Sequence, residues 1–134
     1  MRILVTGMSG LVGGLVGRGL AREHEVRALG RREVPGAETT LADITNLAAI
    51  RSAFQDVEVV VHCAGYQGDD WNQAITANVL GTRNVLEAAR ECGVRRVIFT
   101  SSGSVQQGYE QREPIRSLLQ DPSSWIPHLS LIHI

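Results

Sequence analysis

Short β-branched runs and longer stretches of helical apolar spacing alternate along this chain. Residues 2–6, RILVT, form an apolar run closed by Gly7 and predict a buried parallel strand. From Gly10 to about Glu23 the apolar positions Leu11, Val12, Leu15, Val16 and Leu20 recur at helical spacing, with Arg18, Arg22 and Glu23 on the other side. HEVRAL, residues 24–29, reads as a second strand, and GRREVPGAET as a loop broken by Pro35 and Gly36. A short third strand is expected at 40–42, ending at Asp43, after which Thr45 or Asn46 can cap a helix that turns Leu47, Ile50 and Phe54 inward. VEVVVHCAG, residues 57–65, is the most continuously apolar stretch, as in a strand buried on both faces. Asp69 or Asp70 then opens a long helix to about Cys92, with Ile75, Val79, Thr82, Leu86 and Ala89 on one stripe and Gly93 as its stop. RRVIFT, residues 95–100, makes the fifth strand. Beyond Val105 the pattern fails, leaving a weak helical segment from Ile115 to Leu119 and an apolar tail.

Strands alternating with helices over short connections imply right-handed crossovers, hence an α/β fold with a doubly wound parallel sheet, truncated after the fifth strand. At 134 residues one domain is expected, over 1–122, followed by an irregular tail at 123–134. The closing LSLIHI resembles translated sequencing-adaptor read-through, so residues after 122 need not be native.

Composition narrows the function classes. A net charge of -1 offers no electrostatic footprint for nucleic acid or an anionic membrane, so a small-molecule partner is expected. The two cysteines, Cys63 and Cys92, lie too far apart for a metal-ligand or redox pair and read as structural thiols in a reducing compartment. The chain enters its first strand directly and carries no apolar run of membrane-spanning length, which makes the cytoplasm the default location. All 13 basic residues are arginine, and no lysine occurs.

The chemistry concentrates at strand ends. In VTGMSGLVGG, Gly7, Gly10 and Gly13 stand three apart between the first strand and the first helix. Such a turn permits a tight bend, lets the backbone approach a pyrophosphate and packs helix on strand, while the helix N-terminus attracts the anion. TGMSGLVG resembles the TGxxGxxG signature of the extended short-chain dehydrogenase/reductases, the branch of NAD(P)-dependent epimerases and dehydratases. The resemblance extends over residues 1 to about 105 and implies a Rossmann-type NAD(P)-binding domain, with Ser9, Leu11 and Val12 joining the three glycines at the cofactor. Asp43 and Ile44 are similar to the family's acidic-aliphatic pair at the adenine. VHCAG resembles a strand end that lays Cys63, Ala64 and Gly65 along the cofactor, and NVLGTRNVLEAA a helix motif that carries over Asn78. Physically, Asp43 can equally serve as a helix cap, and His62 reads as a satisfied strand-end histidine. Asn78, facing the sheet, needs hydrogen-bond partners and is expected to support the serine-bearing strand. Arg90, Glu91, Arg95 and Arg96 read as a solvated surface.

At the end of the second strand an acidic residue would pair with the ribose hydroxyls of NAD. Here that position falls on Gly30, followed by Arg31 and Arg32, whose guanidiniums suit a 2′-phosphate, so NADP is expected in preference to NAD. The resemblance also makes Ser102, three residues before Val105, the catalytic serine that hydrogen-bonds the substrate oxygen, with Thr100, Ser101 and Ser104 bonding local backbone. Its partners in the family are a Tyr acid/base and a Lys four residues later that lowers the phenol pKa. Tyr109 stands only seven residues past Ser102, position 113 is Glu, and with no lysine the pair cannot form. Two readings follow: a fragment of an oxidoreductase, epimerase or dehydratase acting by hydride transfer on a sugar nucleotide or similar metabolite, inactive by itself, or a non-catalytic NADP-binding regulatory or redox-sensing module. The resemblance implies a homodimer for the parent, with one contact helix at 70–92.

Overall fold

Five strands lie side by side, all parallel: β1 (Arg2–Thr6), β2 (Glu25–Gly30), β3 (Glu38–Leu41), β4 (Val59–His62) and β5 (Arg96–Phe99). Their order, β3-β2-β1-β4-β5, shows a chain that winds outward from β1 to one edge and then returns to build the other. The strand order therefore reverses between β1 and β4, and at such a switch point the strand ends splay into a crevice. Thr6 is level with Leu29 on one side and His62 on the other, so β1, β2 and β4 all finish at this crevice. The computed structural model describes residues 1–102, of which Met1–Thr100 make one compact unit and Ser101 opens a second. The segment 115–119, the tail from 123, and Ser104, Val105, Tyr109 and Glu113 lie outside the described residues.

One face of the sheet, with Ile3, Val5, Ala28, Val59 and Val61, is covered by Met8 and by helix α1 (Leu11–Leu20). The other, with Leu4, Leu29 and Val60, is covered by α2 (Leu47–Ile50) and the 3-10 turn Arg51–Phe54 that continues it. The last helix shares that face through Val85, Ala88 and Ala89. Of the two residues that could start α2, Asn46 is the cap, accepting the Ala49 N–H at 3.1 Å.

Helix α1 packs on the sheet through Val16 and Leu20, as its apolar spacing suggests, and through glycines that the spacing does not count. Gly13, Gly14 and Gly17 are buried, whereas Leu11 and Leu15 are 80% and 60% exposed. The sheet side has no room for a Cβ: at Gly17 one would fall 2.7 Å from the Met8 sulfur, and at Gly13 it would fall 2.8 Å from the Gly7 carbonyl carbon. A count of large side chains cannot register an interface made of glycine backbone.

The long helix is built in three parts. Asp70 caps α3 (Trp71–Ala74) by accepting the Gln73 N–H at 3.1 Å; a π-helical turn, Ile75–Gly81, follows, and then α4 (Thr82–Glu91). A π turn adds a residue per hydrogen-bonded ring and rotates the side chains after it. Beyond it Thr82 and Ala89 of the expected stripe are buried, with Val85 and Ala88 beside them in the core, whereas Leu86 is only half-buried. On the outer surface, Glu91 accepts two hydrogen bonds from Arg51, at 2.7 and 2.9 Å.

β2 and β3 are parallel neighbours joined by Arg31–Ala37 alone, with no helix between them. Val34 and Ala37 pack on the α1-side core, and Gly36, at φ +81°, turns the chain back.

Deep in the sheet, His62 is fully buried with both ring nitrogens engaged, Nδ1 by Thr6 Oγ1 at 2.6 Å and Nε2 by Thr82 Oγ1 at 3.1 Å. Thr6 Oγ1 also accepts the Ala64 N–H at 3.2 Å, so one hydroxyl joins the buried ring to the exit of β4. Burial disfavours the imidazolium and lowers the His62 pKa to about 4, from 6.5 in an exposed histidine. Between these values the unfolded chain binds the proton and the folded chain does not. Stability is therefore fully present above about pH 6.5 and falls by up to about 3 kcal/mol as pH drops to about 4. Urea midpoints followed across this range should show that decline, and His62→Gln, less stable at neutral pH, should lack it; an unchanged slope in the variant would contradict the assignment.

Candidate functional site

The turn after β1 creates the centre of the site. Gly7 adopts φ +69°, and a Cβ there would lie 2.7 Å from the Ala64 backbone, so β1 and β4 leave the sheet nearly in contact. Gly10 N–H donates to the Gly7 carbonyl at 3.0 Å, which closes the turn and aims α1 at the crevice. No side chain caps α1 and no acidic residue sits in its first turn, leaving the positive helix end and its amide hydrogens for an anion.

Around this turn lies a single groove of about 690 Å3. Its floor is the glycine turn, with Gly7, Ser9, Gly10, Leu11, Val12 and Gly13. Gly30, Arg31 and Arg32 from the β2 exit form one wall, and Ala42, Asp43, Ile44 and Thr45 from the β3 exit form its end. Cys63, Ala64 and Gly65, past the end of β4, form the other wall. The structure thus brings together nearly every cofactor-binding residue expected from the sequence.

Asp43 is neither an idle side chain nor the cap of α2. Its carboxylate accepts the Thr45 N–H at 2.9 Å, and this bond, with Arg31 nearby, holds its pKa below the usual aspartate value. Arg31 and Arg32 are exposed, and a Cβ at Gly30 would meet nothing within 4 Å. Beside the two guanidiniums there is consequently open space where a side chain would otherwise stand. Cys63 is half-buried in the groove wall rather than sealed in the core; burial raises its thiol pKa and keeps it protonated.

Asn78 departs from expectation. It is not among the groove-lining residues, and its amide is spent on Tyr66, accepting the Tyr66 N–H at 2.7 Å and donating to the Tyr66 carbonyl at 3.0 Å. It therefore shapes the loop after β4 and does not brace β5. Ser102 lies exposed, two residues past Thr100, in the second unit. Thr100 bonds backbone, though not the local backbone expected: its Oγ1 donates to the His62 carbonyl of the neighbouring strand at 3.0 Å.

Sequence reasoning missed a rim of Tyr66, Gln67, Asn72, Gln73, Thr76 and Ala77. Tyr66 folds back over Gly68, with its hydroxyl accepting the Asp70 N–H at 3.3 Å. The signal available was the β4-to-helix connection itself, which at a switch point must border the crevice.

A long, shallow groove with a glycine-floored centre, a helix N-terminus and a cationic end fits an extended dinucleotide with its pyrophosphate over the glycines. Among the described residues no group of three His, Cys, Asp or Glu could hold a metal ion, and no helix is long and apolar enough to cross a membrane.

Comparison with known proteins agrees with this geometry. Residues 3–124 match the model of the NAD dependent epimerase/dehydratase family. An L-arabinose 1-dehydrogenase (NAD(P)(+)) of Haloferax volcanii is 34% identical over 117 residues, covering 86% of this chain and 46% of that protein. A 3-beta-hydroxysteroid dehydrogenase of Mycolicibacterium neoaurum is 34% identical over 122 residues, covering 80% of this chain and 33% of that protein. Among solved structures, a short-chain dehydrogenase/reductase superfamily protein from Agrobacterium tumefaciens with bound NAD superposes with a TM-score of 0.73 at 34% identity, over 78% of this chain and 34% of the other. UDP-glucose 4-epimerase from Thermus thermophilus in complex with NAD gives 0.72 at 29% identity, over 78% and 39%. The chain spans less than half the length of each of these proteins. Glycine turn, strand order and family match converge: this chain belongs to the NAD dependent epimerase/dehydratase family.

Proposed function

We propose that the chain is the cofactor-holding part of an NADP-dependent oxidoreductase, epimerase or dehydratase acting at an alcohol or carbonyl carbon of a sugar nucleotide or similar metabolite. One observation carries the reading. A single groove at the switch point gathers the glycine turn, the Arg31–Arg32 pair, Asp43–Ile44 and the β4 exit. When bound, the nicotinamide exchanges a hydride with the substrate carbon. The chain's own residues hold and aim: the α1 N-terminus and the glycine turn neutralise the pyrophosphate, Ile44 supports the adenine face, and Asp43 accepts from its amine. Ala64 and Gly65 give the dinucleotide a flat backbone wall. Ser102 is the residue we assign to the substrate oxygen, and the Tyr and Lys that complete acid/base chemistry in this family are not formed by these 134 residues, which contain no lysine.

Preference for NADP rests on the β2 exit. Gly30 leaves the ribose edge open and offers no carboxylate to repel a phosphate, and Arg31 and Arg32 supply charge-assisted donors there. Relatives known with NAD bound carry the family's cofactor class and do not decide this finer choice.

Fluorescence titration should show NADPH binding tighter than NADH, with Arg31→Ala and Arg32→Ala together raising the Kd for NADPH by about 10- to 100-fold and hardly changing that for NADH. Gly30→Asp should reverse the preference, because its carboxylate would face the 2′-phosphate. Equal affinity of the unaltered chain for the two cofactors would sink the NADP assignment. The same chain, fully loaded with NADPH, is expected to bind without turning over carbonyl substrates; steady oxidation of NADPH would show that the acid/base pair is replaced from within.

A further inference from the structure

The β3 exit, which carries Asp43, Ile44 and Thr45 into the groove, is gripped from behind by the long helix. Gly81 closes the π turn, and the Ile44 side chain fills the notch it leaves: a Cβ at Gly81 would lie 2.7 Å from Ile44 Cδ1 and 2.8 Å from Cγ1. One helical turn later Asn84 Nδ2 donates to two carbonyls at once, those of Ile44 and Thr45, each at 3.0 Å. Neither Gly81 nor Asn84 lines the groove, whereas Thr76, earlier in the same π turn, does. Gly81 has ordinary helical dihedrals, φ -62° and ψ -45°, which alanine adopts more readily, so its backbone gives no reason for glycine. The notch for Ile44 does.

We propose that Gly81 and Asn84 are positioning residues for the adenosine half of the cofactor: they fix Ile44 and Thr45 against the helix and thereby set the width of that end of the groove. This rests on the reading of the groove as a dinucleotide site. An added methyl at residue 81 pushes Ile44 toward the ligand, and loss of the Asn84 amide frees two carbonyls and lets the segment drift. Displacements of this size in a supporting contact weaken binding without touching the ligand.

The test is calorimetry on the whole chain with NADPH and with adenosine 2′,5′-bisphosphate, a probe that lacks the nicotinamide half. Gly81→Ala and Asn84→Ala should each raise Kd about tenfold, by the same factor for both ligands. Gly19→Ala, in open space on α1, should leave both constants unchanged. In an Ile44→Ala background the two close contacts of the methyl at 81 are gone and the next, Ile44 Cβ, lies at 3.6 Å, so Gly81→Ala should then cost nothing further. A purely structural glycine would lower Tm, with the same relief in the Ile44→Ala background, and leave Kd of the folded protein alone. Should Gly81→Ala fail to fold, Asn84→Ala, which introduces no clash, decides. Tight NADPH binding by the unaltered chain together with unchanged constants in Asn84→Ala would overturn the positioning role, while failure of the unaltered chain to take either ligand would overturn the cofactor reading and this role with it.

Discussion

The close passage of two backbones at Gly7 governs the rest of the molecule. With φ at +69° and Ala64 against its α-carbon, Gly7 brings the exits of β1 and β4 together at the point where the strand order reverses. Its carbonyl anchors the Gly10 N–H, and Gly13 packs directly above it, so the direction of α1 follows from the same contact. A bulkier residue at either glycine would move the helix off the sheet and the anion site off the strand ends together. Binding geometry and core packing on the α1 side are thus one constraint.

A second constraint works from below. Thr6, His62 and Thr82 join β1, β4 and the long helix through a buried polar chain, and the same Thr6 hydroxyl holds the Ala64 amide. Because the Thr6, His62 and Thr82 side chains are all partnered, their cost of burial is offset by directed bonds that fix how the strands end. The groove wall made by Ala64 and Gly65 is placed by a histidine that takes no part in lining it.

Fold class and most of the groove were legible in the sequence because both depend on features that local pattern records: β-branched runs, breaker glycines, and a motif of fixed spacing at each strand end. The three misplacements share a cause. Periodicity sets Leu11 and Leu15 beside Val16 and Leu20 because it weighs side chains, yet only the latter pair reaches the sheet, where Gly13, Gly14 and Gly17 bring the backbone close. Leu86 shares its stripe with Thr82 and Ala89, which are buried, and yields its place to Val85 one residue earlier, a choice at the edge of the face that periodicity leaves open. Asn78 was sent to β5, when its short amide reaches only the loop that its own helix overhangs, at Tyr66. Backbone approach, helix phase and side-chain reach are tertiary quantities, and the sequence encodes them only through the assembled fold.

The bare crossover between β2 and β3 gives the sheet edge an unusual dependence. A helix at this position would separate the residues that face a ligand from those that keep β3 in register. Here Arg31 and Arg32 stand at one end of Arg31–Ala37, and the other end enters β3 directly through the Thr39 hydroxyl, which accepts the Val34 N–H and donates to the Ala37 carbonyl. The segment that presents the two guanidiniums to the groove is thus the same one that ties an outer strand to the sheet. Local opening of this loop would loosen an edge strand and a groove wall together, since a few residues of chain carry both.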